Sequence, residues 1–208
     1  MKTNCDQLTK LYTHMRDNIG SNCQVTMDDW NSPYKIPSHA AIMASLLFKS
    51  LEHAGSDLDY FRACMTTAYA GLVGFAASLN LMPKPAHFAA DRAIAIATAN
   101  PDQFTEESAR VATDLYTLSG AFYDGLGGWR AHQVNLASNP DAPVDPAHTD
   151  QLAAAFVRVL VAMDRLCTNI GVDIHADIPK VVTALALLAA VREAAKEFVG
   201  ILDAAPNN

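Results

Sequence analysis

The chain has 208 residues, 50% of them hydrophobic and 18% charged, which excludes intrinsic disorder because so apolar a chain can bury enough surface to offset its ordering entropy. A formal net charge of -7 speaks against a nucleic-acid backbone as partner, since phosphate binding needs clustered Lys and Arg. The charged share lies below the roughly one quarter usual in soluble domains, leaving apolar surface for another chain, so a homo-oligomer or a protein partner is expected.

The first six residues, Met1 to Asp6, carry one basic side chain and no apolar run behind it. That differs from a secretory signal and points to the cytoplasm. The longest apolar stretches, Ala68 to Leu79 and Val181 to Val191, fall short of the ~20 residues that cross a bilayer, so no membrane span is expected. Cys5, Cys23, Cys64 and Cys167 lie far apart with no Cys-x-x-Cys pair. They read as reduced thiols rather than a zinc knuckle or a disulfide framework.

Apolar residues recur at three and four rather than at two, and alanine and leucine dominate. The expectation is an all-α fold, a helical bundle of about seven helices in one domain spanning 1–208. A first helix covers Asp6 to Asn18 on the stripe Leu8, Leu11, Tyr12, Met15 and Ile19. An irregular segment follows to Ser38, and a second helix runs from His39 to Ala54. Ser56 is read as the cap of a third helix, with Asp57 and Asp59 in its first turn, continuing to about Asn80. Pro83 and Pro85 break the chain before a shorter helix from His87 to Ala99.

Thr105 caps the next helix, which Val111, Leu115, Leu118, Phe122 and Leu126 carry to Gly127-Gly128. A long loop is read over 127–148. Thr149 then caps a helix from Asp150 to Ile170, stopped by Gly171, and a last helix runs from Asp177 or Pro179 to Asp203. The two halves, 36–100 and 105–203, share this order. Ala70 to Ala95 aligns with Val161 to Leu187, which suggests a degenerate duplication.

From Ile36 to Glu52 the chain reads Ile-Pro-Ser-His-Ala-Ala-Ile-Met-Ala-Ser-Leu-Leu-Phe-Lys-Ser-Leu-Glu. This resembles the first core helix of the MazG-like all-α nucleotide pyrophosphohydrolases, where an Ile-Pro entry precedes a helix with Glu-x-x-Glu. Val157 to Ile174, ending Cys-Thr-Asn-Ile-Gly-Val-Asp-Ile, is similar to the second core helix and exit turn of that family. The resemblance implies a four-carboxylate site holding magnesium against a triphosphate, Glu-x-x-Glu on one helix and Glu-x-x-Asp on the next. Here Leu46 and Lys49 occupy the first pair of positions, and Arg62 and Met65, or Ala155 and Arg158, the second. The metal-binding acids of the family are therefore missing.

Substitute ligands are sought elsewhere. Glu52, His53, Asp57 and Asp59 form the densest group around one helix connection, with Glu52, Asp57 and Asp59 as candidate metal ligands; the same residues read equally as caps and solvated acids. Glu107 with Asp114, and Asp173, His175 and Asp177, are weaker sets. Two aromatic-basic groupings, Trp30 with its neighbour Lys35 and Trp129-Arg130, have the chemistry to stack a base beside a phosphate or to pin a loop. Trp30, Lys49, Glu52, Arg62, Trp129 and Arg130 are the ligand-binding candidates. Three readings follow: a non-catalytic protein binding a partner protein or small nucleotide without a cofactor, a magnesium-dependent nucleoside triphosphate pyrophosphohydrolase with metal-activated water, and a structural subunit of a larger assembly.

Overall fold

Helix α1 (Cys5–Met15) begins at Asn4, whose side-chain oxygen accepts the Gln7 N–H at 3.0 Å and so satisfies one donor that a helix start leaves open. Leu8, Tyr12 and Met15, spaced by four and three, are its buried stripe. These coordinates come from a computed structural model that describes residues 4–17, 44–45, 47–91, 105–139, 146–184, 187 and 191. Among the described residues every regular element is helical, so the expected all-α bundle is the fold. Trp30, Leu46 and residues 18–43 and 92–104, with the parts of the expected helices 39–54 and 87–99 that fall on them, lie outside the described residues.

The chain is helical again over 47–53, here α2, with Leu47 and Ser50 buried. Helix α3 (Leu58–Ser78) starts one residue later than expected: Asp57, not Ser56, is the cap, and its carboxylate accepts the Tyr60 N–H at 2.9 Å. A carboxylate at that place satisfies a free donor and meets the positive end of the helix dipole. Phe61, Met65, Tyr69, Leu72 and Val73 of α3 are fully buried or nearly so, each stabilising the core by roughly 1.5–3 kcal/mol. Helix α1 packs on α3. At that crossing a Cβ on Gly74 would stand 2.9 Å from the Met15 methyl.

Helix α3 closes with Asn80 in left-handed backbone, φ 60°, while the Asn80 N–H reaches the Ala77 carbonyl at 3.2 Å and the Leu81 N–H the Ala76 carbonyl at 2.9 Å. A seven-residue 3₁₀ segment, Pro85–Asp91, follows and packs on the later helix α5. It takes the place of the start of the helix expected from His87.

Helix α4 (Glu106–Ser138) is 33 residues long, about 50 Å at 1.5 Å per residue. Thr105 caps it as expected: its hydroxyl accepts the Ser108 N–H and the Ser108 hydroxyl accepts the Thr105 N–H. The loop read over 127–148 is not there for most of its length, because α4 runs through Gly127 and Gly128 to Ser138. Two glycines cost a helix roughly 1 kcal/mol each. Burial of Leu126 and Trp129 on either side of them outweighs that cost.

Helix α5 (Pro146–Ile170) begins earlier than expected, with Pro146 in the first turn where its missing N–H costs nothing; Thr149 is inside the helix and does not cap it. Its exit repeats that of α3: Gly171 has φ 85°, the Gly171 N–H meets the Thr168 carbonyl at 3.2 Å, and the Val172 N–H meets the Cys167 carbonyl at 2.8 Å. Both ends thus use the same left-handed closure. Helix α6 is helical over 178–184.

Among the described elements, helices α4 and α5 form the most extensive pair. Ser108 meets Asn169, Phe122 meets Phe156 with ring centroids 6.3 Å apart, Gly125 lies against Leu152, and Trp129 bonds Thr149. Each step along α4 is matched by one back along α5, an antiparallel pair held in one register.

Candidate functional site

The acidic cluster read from the sequence is only partly assembled. Glu52 and Asp57 both act electrostatically on Tyr60, whose hydroxyl is raised above its ordinary value chiefly by its hydrogen bond with Cys64 and then by the charge around it. The His53 ring stands edge-on to Tyr60 at 4.6 Å between centroids. Among the described residues, however, no three His, Cys, Asp or Glu side chains stand close enough together to hold a metal ion. Glu52, Asp57 and Asp59 therefore do not form the expected metal set. Asp57 is turned to the Tyr60 N–H, and Asp59, two residues on, projects from another side of the helix.

Glu107 and the Asp173–His175–Asp177 set are similarly committed. Glu107 pairs with Arg110 one turn on. Asp173 accepts the His175 N–H at 2.9 Å, the His175 ring goes to Asp164, and Asp177 takes Lys180 at 2.8 Å, which holds its carboxyl below the usual range. The triplet that looked like ligands on paper points to three different partners.

Of the ligand-binding candidates, Lys49, Glu52 and Arg62 are exposed, and Arg62 lies near enough to Asp177 to lower its carboxyl further. Trp30 lies outside the described residues. Trp129 is 4% exposed and its indole Nε1 donates to the Thr149 hydroxyl at 3.1 Å. It offers no open face to a base, which corrects the stacking reading; the aromatic ring fills the α4–α5 seam because the helix continues past the glycines. Arg130 beside it is half-buried.

The structure brings together polar pairs that the sequence did not signal. Asp164, buried in α5, accepts from His175 Nε2 at 2.8 Å, and the His175 ring stands edge-on to Tyr69 of α3. An Asp–His pair can orient an imidazole as a general base, yet Cys167, the buried thiol on the same helix as Asp164, is no nucleophile for it: burial, then Asp164 and Asp173, pushes the thiol well up. His87 is buried, its Nδ1 accepts the Lys84 N–H at 3.2 Å, and its Nε2 faces Asp150 at 3.3 Å. Both nitrogens are occupied, which leaves neither to take a substrate proton. His132 and His148 stack across α4 and α5 with centroids 5.1 Å apart.

Among the described residues the exposed large hydrophobic side chains are Phe48, Tyr60, Met82, Tyr116, Leu187 and Val191, and two of them meet. Phe48 of α2 and Tyr116 of α4 are 42% and 61% exposed, and their rings lie 5.5 Å apart. Sequence periodicity placed both on helices but could not show that they would meet. No protein-family model matches the chain, and neither a curated protein nor a solved structure is detectably similar to it.

Proposed function

We propose that the chain is a non-catalytic all-α protein that binds a partner protein, on a scaffold resembling that of the MazG-like pyrophosphohydrolases. The observation that carries this reading is the Phe48–Tyr116 pair, two large rings from different helices held together in solvent. Aromatic side chains placed this way supply contact area at little entropic cost and are enriched where proteins meet. A second support comes from Met65, at a position where the resembled enzymes carry an acid. It is fully buried, with the Ser50 hydroxyl 4.0 Å from its sulfur, so that stretch of α3 serves core packing.

The test has two arms. Magnesium and a panel of nucleoside triphosphates are expected to give neither pyrophosphate nor a thermal shift. Turnover lost in Glu52→Gln or Asp57→Asn overturns the reading in favour of the hydrolase, and a shift without turnover makes the chain a nucleotide binder. In the second arm, a benzophenone side chain replacing Tyr116 is expected to form a protein adduct that weakens in Phe48→Ser. The absence of any adduct counts against the patch.

A further inference from the structure

We propose that the outward face of α4 docks on the same face of a second copy of this chain, the two helices antiparallel about a two-fold axis at Thr117. The inference rests on the partner-binding reading and names the partner. Ser108, Leu115, Ser119, Phe122, Leu126 and Trp129 are the buried positions of α4, and the opposite side of the helix is centred on Thr117, which is exposed. Arg110 lies seven residues before Thr117 and Asp124 seven after. Seven residues are close to two helical turns, so the three share one line along the solvent face.

A two-fold contact pairs each residue with its mirror position and repeats the pair in reverse. With the axis at Thr117, Arg110 faces Asp124 of the second copy and Asp124 faces its Arg110. Both residues are exposed, and Arg110, bound to Glu107 of its own helix through Nη2, keeps its other guanidinium N–H groups for Asp124 of the second copy. A parallel pairing in register would instead set arginine on arginine and aspartate on aspartate, which like-charge repulsion disfavours. The charge order along this line therefore selects the antiparallel, self-complementary arrangement.

Space along the line fits a neighbouring helix. A Cβ added at Gly120 or Gly128 would meet nothing within 4 Å, and Thr113 and Ala121 are small and exposed. Helix axes can then approach near the lower end of the usual 8–10 Å. Tyr116 and Phe48 flank the line and extend it with apolar area.

Charge reversal tests the register. Light scattering is expected to give twice the 22.3 kDa chain mass, with Arg110→Asp or Asp124→Arg alone weakening the dimer by on the order of tenfold or more and the double variant recovering most of that loss. Thr117→Cys, on the axis, is expected to give a disulfide-linked dimer on mild oxidation that the unsubstituted chain does not give. A monomer at high concentration, or a dimer indifferent to both reversals and silent at Thr117→Cys, overturns the proposal. All three sites are exposed, and far-UV circular dichroism verifies that the variants fold. A monomer without nucleotide turnover ends self-docking but leaves the partner-binding reading standing, with a different chain as the partner. Turnover in an intact dimer does the reverse.

Discussion

Trp129 sits one residue after a pair of glycines, and its burial decides what the surrounding backbone does. The ring is packed in the α4–α5 seam and its indole N–H is bonded to Thr149, so the side chain contributes both apolar area and a satisfied donor. Trp129→Ala is expected to cost about 3–5 kcal/mol. Trp129→Phe keeps most of the ring and gives up the hydrogen bond, about 1 kcal/mol. Urea denaturation monitored by circular dichroism resolves the two; equal losses in both variants would show that the bond, and not the packing, dominates. Tyr123, also on α4 and in ring contact with Phe122, is buried enough that desolvation pushes its phenol up to about 12. The sequence displayed Trp129 as half of an aromatic-basic pair, a pattern that carries no information about which way the ring turns.

At the scale of elements, α4 shows where local reading succeeds and where packing overrules it. Thr105 capped the helix as expected because a cap is decided within four residues. The stop at Gly171 held for a similar reason: the left-handed conformation it takes is cheap for glycine. Gly127-Gly128 carried the same local message and did not end the helix, because Trp129, Leu126 and the facing α5 reward its continuation from outside the segment. Gly127 has open space where a Cβ would go, so Gly127→Ala is expected to stabilise the chain by about 0.5–1 kcal/mol and to raise the melting temperature by roughly 1–4 °C. Gly74→Ala is expected to give no such gain, since its Cβ would crowd the buried Met15 methyl at 2.9 Å. Thermal denaturation of the two variants side by side is the check, and a rise in both would mean that α1 yields easily at that crossing.

Across the whole molecule, the start of each central helix is linked to the exit of the other. Asp150, near the start of α5, receives Lys84 and His87 from the segment after α3; Arg62, near the start of α3, lies by Asp177 after α5. The Lys84 and His87 hydrogen bonds hold the Asp150 carboxyl below its ordinary 3.8. A carboxyl lowered on folding contributes stability that is fully present above the unfolded value and lost as the pH falls through the folded one. Asp150→Asn is therefore expected to melt below the unsubstituted chain at neutral pH, the two converging as the pH drops below 3.8; a gap that persists in acid would assign the loss to packing. None of these links was legible beforehand: His175 and Asp177 read as members of a candidate ligand set and Arg62 as a ligand-binding candidate, Lys84 and Asp164 gave no signal, and pairing across so many residues leaves no local trace. The bundle itself was legible because helical periodicity recurs in every turn. The single register of α4 against α5 bears also on how the chain assembles. Trp129 and Thr149 are 20 residues apart, Ser108 and Asn169 61, so closing the far contact from an open chain costs about 1 kcal/mol more loop entropy than closing the near one. The hairpin is thus cheapest to zip from its turn outward, with the capped start of α4 the last part to be seated.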